Sequence, residues 1–232
     1  MNLQLDRTWQ YAIYALLFFV SLIFIIILIP SSGTYFRRFF GDLNAIIVIV
    51  IVSVVGAAAL WILQNKYDFV VIMGKGTLRG LALAAALATV LALAIIIADI
   101  IFRYPKDLNV PVPQALMFYP AVGFVAQIIF HVVPLALLLI ILNPVGGWIG
   151  RERLVWLCIL LVAMLEPTFQ VLFERNVFTW RSVYTWIHVF AIAFIQLYIF
   201  RKFDFVSMYS FRLIYYTYWH ILWGVIRLEV LF

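Results

Sequence analysis

Charge is scarce in this sequence: 11% of the 232 residues are Asp, Glu, Lys or Arg, against 67% hydrophobic residues and a mean hydropathy of +1.13. A chain of that composition cannot cover itself with a water-facing surface, which excludes a soluble globular fold. Cysteine is scarcer still. The single Cys158 excludes an intrachain disulfide, a thiolate zinc cluster and a redox pair, and inside an apolar run it reads as a small core residue. There is no glycine-rich phosphate loop, no Gly-x-Ser-x-Gly elbow and no inverted repeat of the kind that builds a carrier from two matched halves. The basic residues leave a net charge of +6 but are spread over every loop and form no run, so they suit anionic lipid headgroups and not nucleic acid.

What the chain has in quantity is long apolar runs. Crossing a bilayer core of ~30 Å takes about 20 helical residues at 1.5 Å each. Runs of that length lie at 11–30, 44–63, 80–102, 115–142, 154–173, 183–200 and 209–228. Each is apolar on all sides and lacks the two-residue alternation of barrel strands. The prediction is an all-α, polytopic integral membrane protein of seven spans, with the lipid bilayer as its first partner. The opening run is longer than a signal-peptide core and no small-x-small site follows it, so it is expected to remain as a span. Lys and Arg number eight on the side of the N-terminus and seven on the other, a balance that leaves the orientation open.

Three prolines in "RYPKDLNVPVPQ", residues 103–114, rule out a continuous helix there and divide the chain. The division predicts a three-helix segment at 1–104, a Pro-rich linker at 105–113 and a four-helix core at 114–232. In the first segment Asp99 is the lone ionisable residue inside an apolar run, and Arg103, four residues on, is its expected ion-pair partner at the interface. The spans of the core are richer in polar groups.

Strongly polar side chains in hydrocarbon cost at least ~2.5 kcal/mol each on insertion scales, so they are expected to face other helices. Gln127 and His131 share one face, beside the carbonyl that Pro134 deprives of its helical partner. Glu166, Gln170 and Glu174 repeat the design next to Pro167. His188 lies in the sixth run. In the last run Arg212, Tyr216, His220 and Arg227 fall at spacings of four, four and seven, which makes one polar stripe. Arg212 and Arg227 are ~22 Å apart along such a helix. They are therefore expected to reach opposite interfaces, with Tyr216 and His220 kept inside and His220 mattering more to packing than Arg227. Gln127, His131, Gln170, His188, Arg212 and Tyr216 are the expected lining of a polar pocket, with Glu166 and His220 as the candidates for catalysis.

Residues 197–224, "LYIFRKFDFVSMYSFRLIYYTYWHILWG", resemble the C-terminal signature of the CAAX prenyl-protease and bacteriocin-processing (CPBP) membrane family, with His220 as the last motif histidine and Gly224 where Asn or Asp is usual. The family's glutamate pair and arginine fall on "AQIIFH", residues 126–131, where Ala126 and Gln127 replace the glutamates and His131 the arginine. Glu166 stands where the middle histidine is expected; an offset alignment puts Glu166 in the glutamate box and ends the middle motif at His188. In the family a glutamate activates water, and an amide at Gln127 is no base. The resemblance thus implies a noncatalytic accessory or scaffold subunit of a membrane complex, with a membrane-protein partner. The alternative it implies is an intramembrane protease using Glu166 with His188 and His220. A third reading of the residues makes the histidines haem or pigment ligands, or gathers Glu166, His188 and His220 around a metal. No pattern in the chain specifies which cofactor or metal that would be.

Overall fold

A computed structural model describes residues 6–173 and 179–232. Its helices are α1 (Arg7–Phe40), α2 (Ala45–Tyr67), α3 (Lys75–Phe102), α4 (Ala115–Gln127), α5 (Val133–Ile141), α6 (Asn143–Ile149), α7 (Arg151–Ala163), α8 (Leu165–Phe173), α9 (Trp180–Lys202), α10 (Phe205–Tyr216) and α11 (Trp223–Val230). Among the described residues there is no strand. Two segments are π-helical: Ile128–Val132 joins α4 to α5, and Thr217–Leu222 joins α10 to α11. In each the backbone steps to five-residue hydrogen bonding, with Val133 N–H donating to the Ile128 carbonyl and Trp223 N–H to that of Tyr218. Six helical stretches are long and apolar enough to cross a membrane: Arg7–Pro30, Ala45–Tyr67, Lys75–Phe102, Ala115–Ile141, Arg151–Leu172 and Trp180–Lys202. The seventh expected run is helical from Phe205 to Val230 but is not among those six.

Local chemistry explains where the helices begin and turn. The Asn44 side chain accepts from the N–H groups of Ile46 and Ile47, at 2.9 and 3.3 Å, and so caps α2. Gly150 joins α6 to α7 with φ at +89°, a conformation that a side chain resists. Pro167 has no N–H to continue the ladder of α7, and the chain breaks at Met164 before α8 begins. Asp204, fully buried, starts α10 and ties it to the start of α3. Its Oδ1 accepts from Ser207 N–H at 2.7 Å, and its Oδ2 accepts from Met73 N–H at 3.0 Å and the Thr77 hydroxyl at 2.5 Å. At Gly80 the two helices approach so closely that a Cβ would collide with Ser207.

The Pro-rich stretch does not separate two independently packed units. Helix α1 packs along α4 and α3 along α10, and one buried apolar cluster runs from Tyr14 to Trp223. The expected Asp99–Arg103 pair is not formed. Arg103 ends α3 in a left-handed conformation, and Asp99 is paired instead with Arg227 of α11, with both side chains fully buried. The i, i+4 spacing failed as a guide because the helix turns away at Arg103, while α11 crosses the carboxylate. Arg227 Nε donates to Asp99 Oδ2 at 2.7 Å and Nη2 to Oδ1 at 2.9 Å. Trp223 Nε1 and Tyr104 N–H also donate to the carboxylate, and Arg227 reaches the carbonyls of Tyr104 and Pro105. Arg227 therefore does not reach toward an interface; it clamps the end of the chain to the 103–110 segment.

Candidate functional site

Arg212 lies two turns into α10, and the Asp204 cap fixes the direction in which that helix sets out. Gly123 of α4 allows the approach: a Cβ there would sit 3.2 Å from the Tyr216 ring and 3.4 Å from Arg212 Cδ. The guanidinium is buried, and each of its five N–H groups has an acceptor. Nε donates to Gln127 Oε1 at 2.6 Å; Nη1 to Glu166 Oε1 and to the Tyr216 hydroxyl, both at 2.9 Å; Nη2 to Glu166 Oε2 at 2.6 Å and Gln196 Oε1 at 3.0 Å. The bidentate geometry matches the planar fork of the guanidinium to the carboxylate.

The rest of the cluster is less complete. His131 is fully buried in the π segment, its Nε2 3.6 Å from Glu166 Oε2, and neither ring nitrogen has a hydrogen-bond partner. Gln196 offers its carbonyl oxygen to Arg212 while its Nε2 has no partner. Tyr216 accepts from Arg212, which leaves its own hydroxyl hydrogen available. Buried polar atoms without partners are uncommon enough in folded chains that each calls for an explanation.

A cavity of about 1030 Å³ opens beside this cluster, between α4 with its π segment, α8, α9 and α10. Its lining includes Arg37, Arg38, Glu166, Gln196 and Arg212, and is otherwise mainly aromatic and aliphatic. His220 is in the wall, stacked on Tyr119 with ring centroids 4.4 Å apart. Its Nδ1 is 2.7 Å from Asn109 Oδ1; a carbonyl oxygen only accepts, so Nδ1 carries the proton. His188 is bonded to the Tyr215 hydroxyl at 3.1 Å.

Five of the expected site residues therefore come together: Gln127, His131, Glu166, Arg212 and Tyr216. Gln170, His188 and His220 line the same cavity; His220 packs edge-on against Tyr216, ring centroids 5.0 Å apart, but its hydrogen bond goes to Asn109 and that of His188 to Tyr215. Glu174, the third member of the spacing-of-four series, lies outside the described residues. The polar stripe is on one buried side of its helix, yet Arg212 does not reach an interface, since it is 2% exposed and held by four side chains. The grouping of Glu166, His188 and His220 around a metal is not formed, because each is bound to a different neighbour. Among the described residues, no set of three His, Cys, Asp or Glu side chains is placed to hold an ion. Sequence reasoning passed over Asn109, which looked like part of a helix-breaking stretch. Gln196 is one polar residue in the apolar run 183–200, with no second polar residue one helical turn away to mark it.

Among the described residues, fold and site together define a helical, strand-free chain with six helices long and apolar enough to span a membrane, built around a buried arginine cluster beside a large cavity. Comparisons with family models, curated proteins and solved structures find no match.

Proposed function

We propose that this is a seven-span integral membrane protein whose core is a degenerate relative of the CPBP family, acting as a noncatalytic accessory or scaffold subunit for another membrane protein. The observation that carries this reading is the bidentate Arg212–Glu166 pair. Both carboxylate oxygens accept from one guanidinium, so the one carboxylate of the cluster among the described residues is engaged in holding helices together. Gln127 supplies an amide where a protease needs a base. Where the family has a polar residue one turn after the last histidine, this chain has Gly224, and Asn109 fills the space: its Nδ2 lies 3.0 Å from where a Cβ on Gly224 would be.

One observation favours the protease reading. His131, with both nitrogens unpartnered, lies within 4 Å of Glu166 and could hold a proton or a water there. The two readings separate in an assay of the purified chain against a mixed peptide library, in detergent and in liposomes, with Glu166→Gln alongside. No cleavage by either form is the expected result. Cleavage by the wild type that falls by about 10² to 10⁴ in Glu166→Gln, the usual effect of losing a general base, would establish the protease instead. Co-purification from the native membrane with a second integral protein, in fixed ratio, is the matching expectation for the subunit.

A further inference from the structure

The cavity has a feature that a purely structural arginine lock does not need. Two of its lining residues carry hydrogen-bond donors with nothing to donate to: Gln196 Nε2, on a fully buried residue, and the Tyr216 hydroxyl. The charge beside them is already matched, since all five N–H groups of Arg212 are used and Glu166 balances it. A phosphate would find no spare cation there; an uncharged or weakly basic oxygen would find donors. The wall includes Ile129, Leu165 and Phe169, apolar residues that are 40%, 43% and 43% exposed. Arg212 is fifteen residues before Arg227, which binds the 103–110 segment, so the cluster lies ~22 Å below that end of the bundle, which on the proposed membrane-spanning reading is hydrocarbon depth. A ligand for these donors must be a molecule that lives in the bilayer and carries an acceptor on an apolar chain. The volume lies at the upper end of the ~300–1,000 Å³ typical of ligand sites.

We propose that this cavity binds an acyl lipid, with the acyl carbonyl accepting from Gln196 Nε2 and Tyr216 O–H and the chain lying against Ile129, Leu165 and Phe169. The proposal does not depend on whether the protein is a protease or a scaffold. Free fatty acids and lipid esters both present this carbonyl, and the test separates them. Full-length protein in detergent is titrated with dibromostearic acid, with its methyl ester and with dibromo-octadecane, and quenching of tryptophan fluorescence is followed; Trp219 lines the cavity. Saturable quenching by the acid, the ester or both is expected, with only linear partition quenching by the alkane. Saturation by the acid alone identifies a free fatty acid, and by the ester alone an esterified lipid. In Gln196→Glu the carboxylate still accepts from Arg212 but the donor is gone, and at least tenfold weaker binding is expected. Tyr216→Phe, which removes the second donor, should weaken binding severalfold. Absence of saturation with both acyl probes, equal saturation by the alkane, or unchanged affinity in Gln196→Glu would overturn the proposal.

Discussion

Among the described residues two arginines are buried, each in a bidentate pair with a carboxylate from a distant helix, and their surroundings differ. Around Arg227 and Asp99 every neighbour completes the set. Two side chains and a backbone N–H serve the carboxylate, and the carbonyls of Tyr104 and Pro105 take up two of the three remaining guanidinium hydrogens. Around Arg212 and Glu166 the ion pair is equally well made, but His131 and Gln196 keep atoms without partners and a cavity lies alongside. A closed network is explained by stability alone. An open one beside an empty volume has capacity left over, and that leftover capacity is where function is to be sought.

Breaking the closed network should have the largest effect. Arg227→Met strands the Asp99 carboxylate with no solvent nearby, and a loss of about 3–5 kcal/mol is expected in thermal or denaturant unfolding of the detergent-solubilised protein. The double variant Asp99→Leu/Arg227→Met should lose less than Arg227→Met does, because no lone charge remains. Glu166→Gln should lose less again, about 2 kcal/mol: the glutamine oxygen still accepts from Arg212, and the cavity can admit water to the guanidinium. A larger loss for Glu166→Gln than for Arg227→Met would show that the open network is the true structural lock.

The difference can be sharpened at His220. The stripe in the sequence implies that His220 is the buried member and Arg227 the peripheral one. The structure puts Arg227 at 0% exposure with four hydrogen bonds, and His220 in a cavity wall with one hydrogen-bonding partner, Asn109. His220→Leu is therefore expected to lose only ~1 kcal/mol in the same unfolding measurement. The smallest effect should come from Arg38→Ala. Its pair with Asp107 spans 3.1 Å between side chains 49% and 78% exposed, where water screens the charges, and a change below ~1 kcal/mol is expected.

The amino-acid sequence by itself determined the helical class, the positions of the apolar runs and the fact that polar chemistry gathers in the last four of them. Those are consequences of local composition and of a 3.6-residue period, which any stretch of chain carries within itself. It also placed Gln127, His131, Glu166, Arg212 and Tyr216 on faces that had to be buried, because the cost of exposing such groups to lipid does not depend on which helix is next door. Tertiary structure decided the partners. Arg212 meets Glu166 across 46 residues and Arg227 meets Asp99 across 128, while the plausible local partner Arg103 turns away. Which helices lie side by side is set by close approaches such as Gly80 against Ser207 and by the Asp204 cap on α10, contacts between segments far apart in the chain. Periodicity can say that a side chain faces inward; only the packing of the other helices says what it finds there.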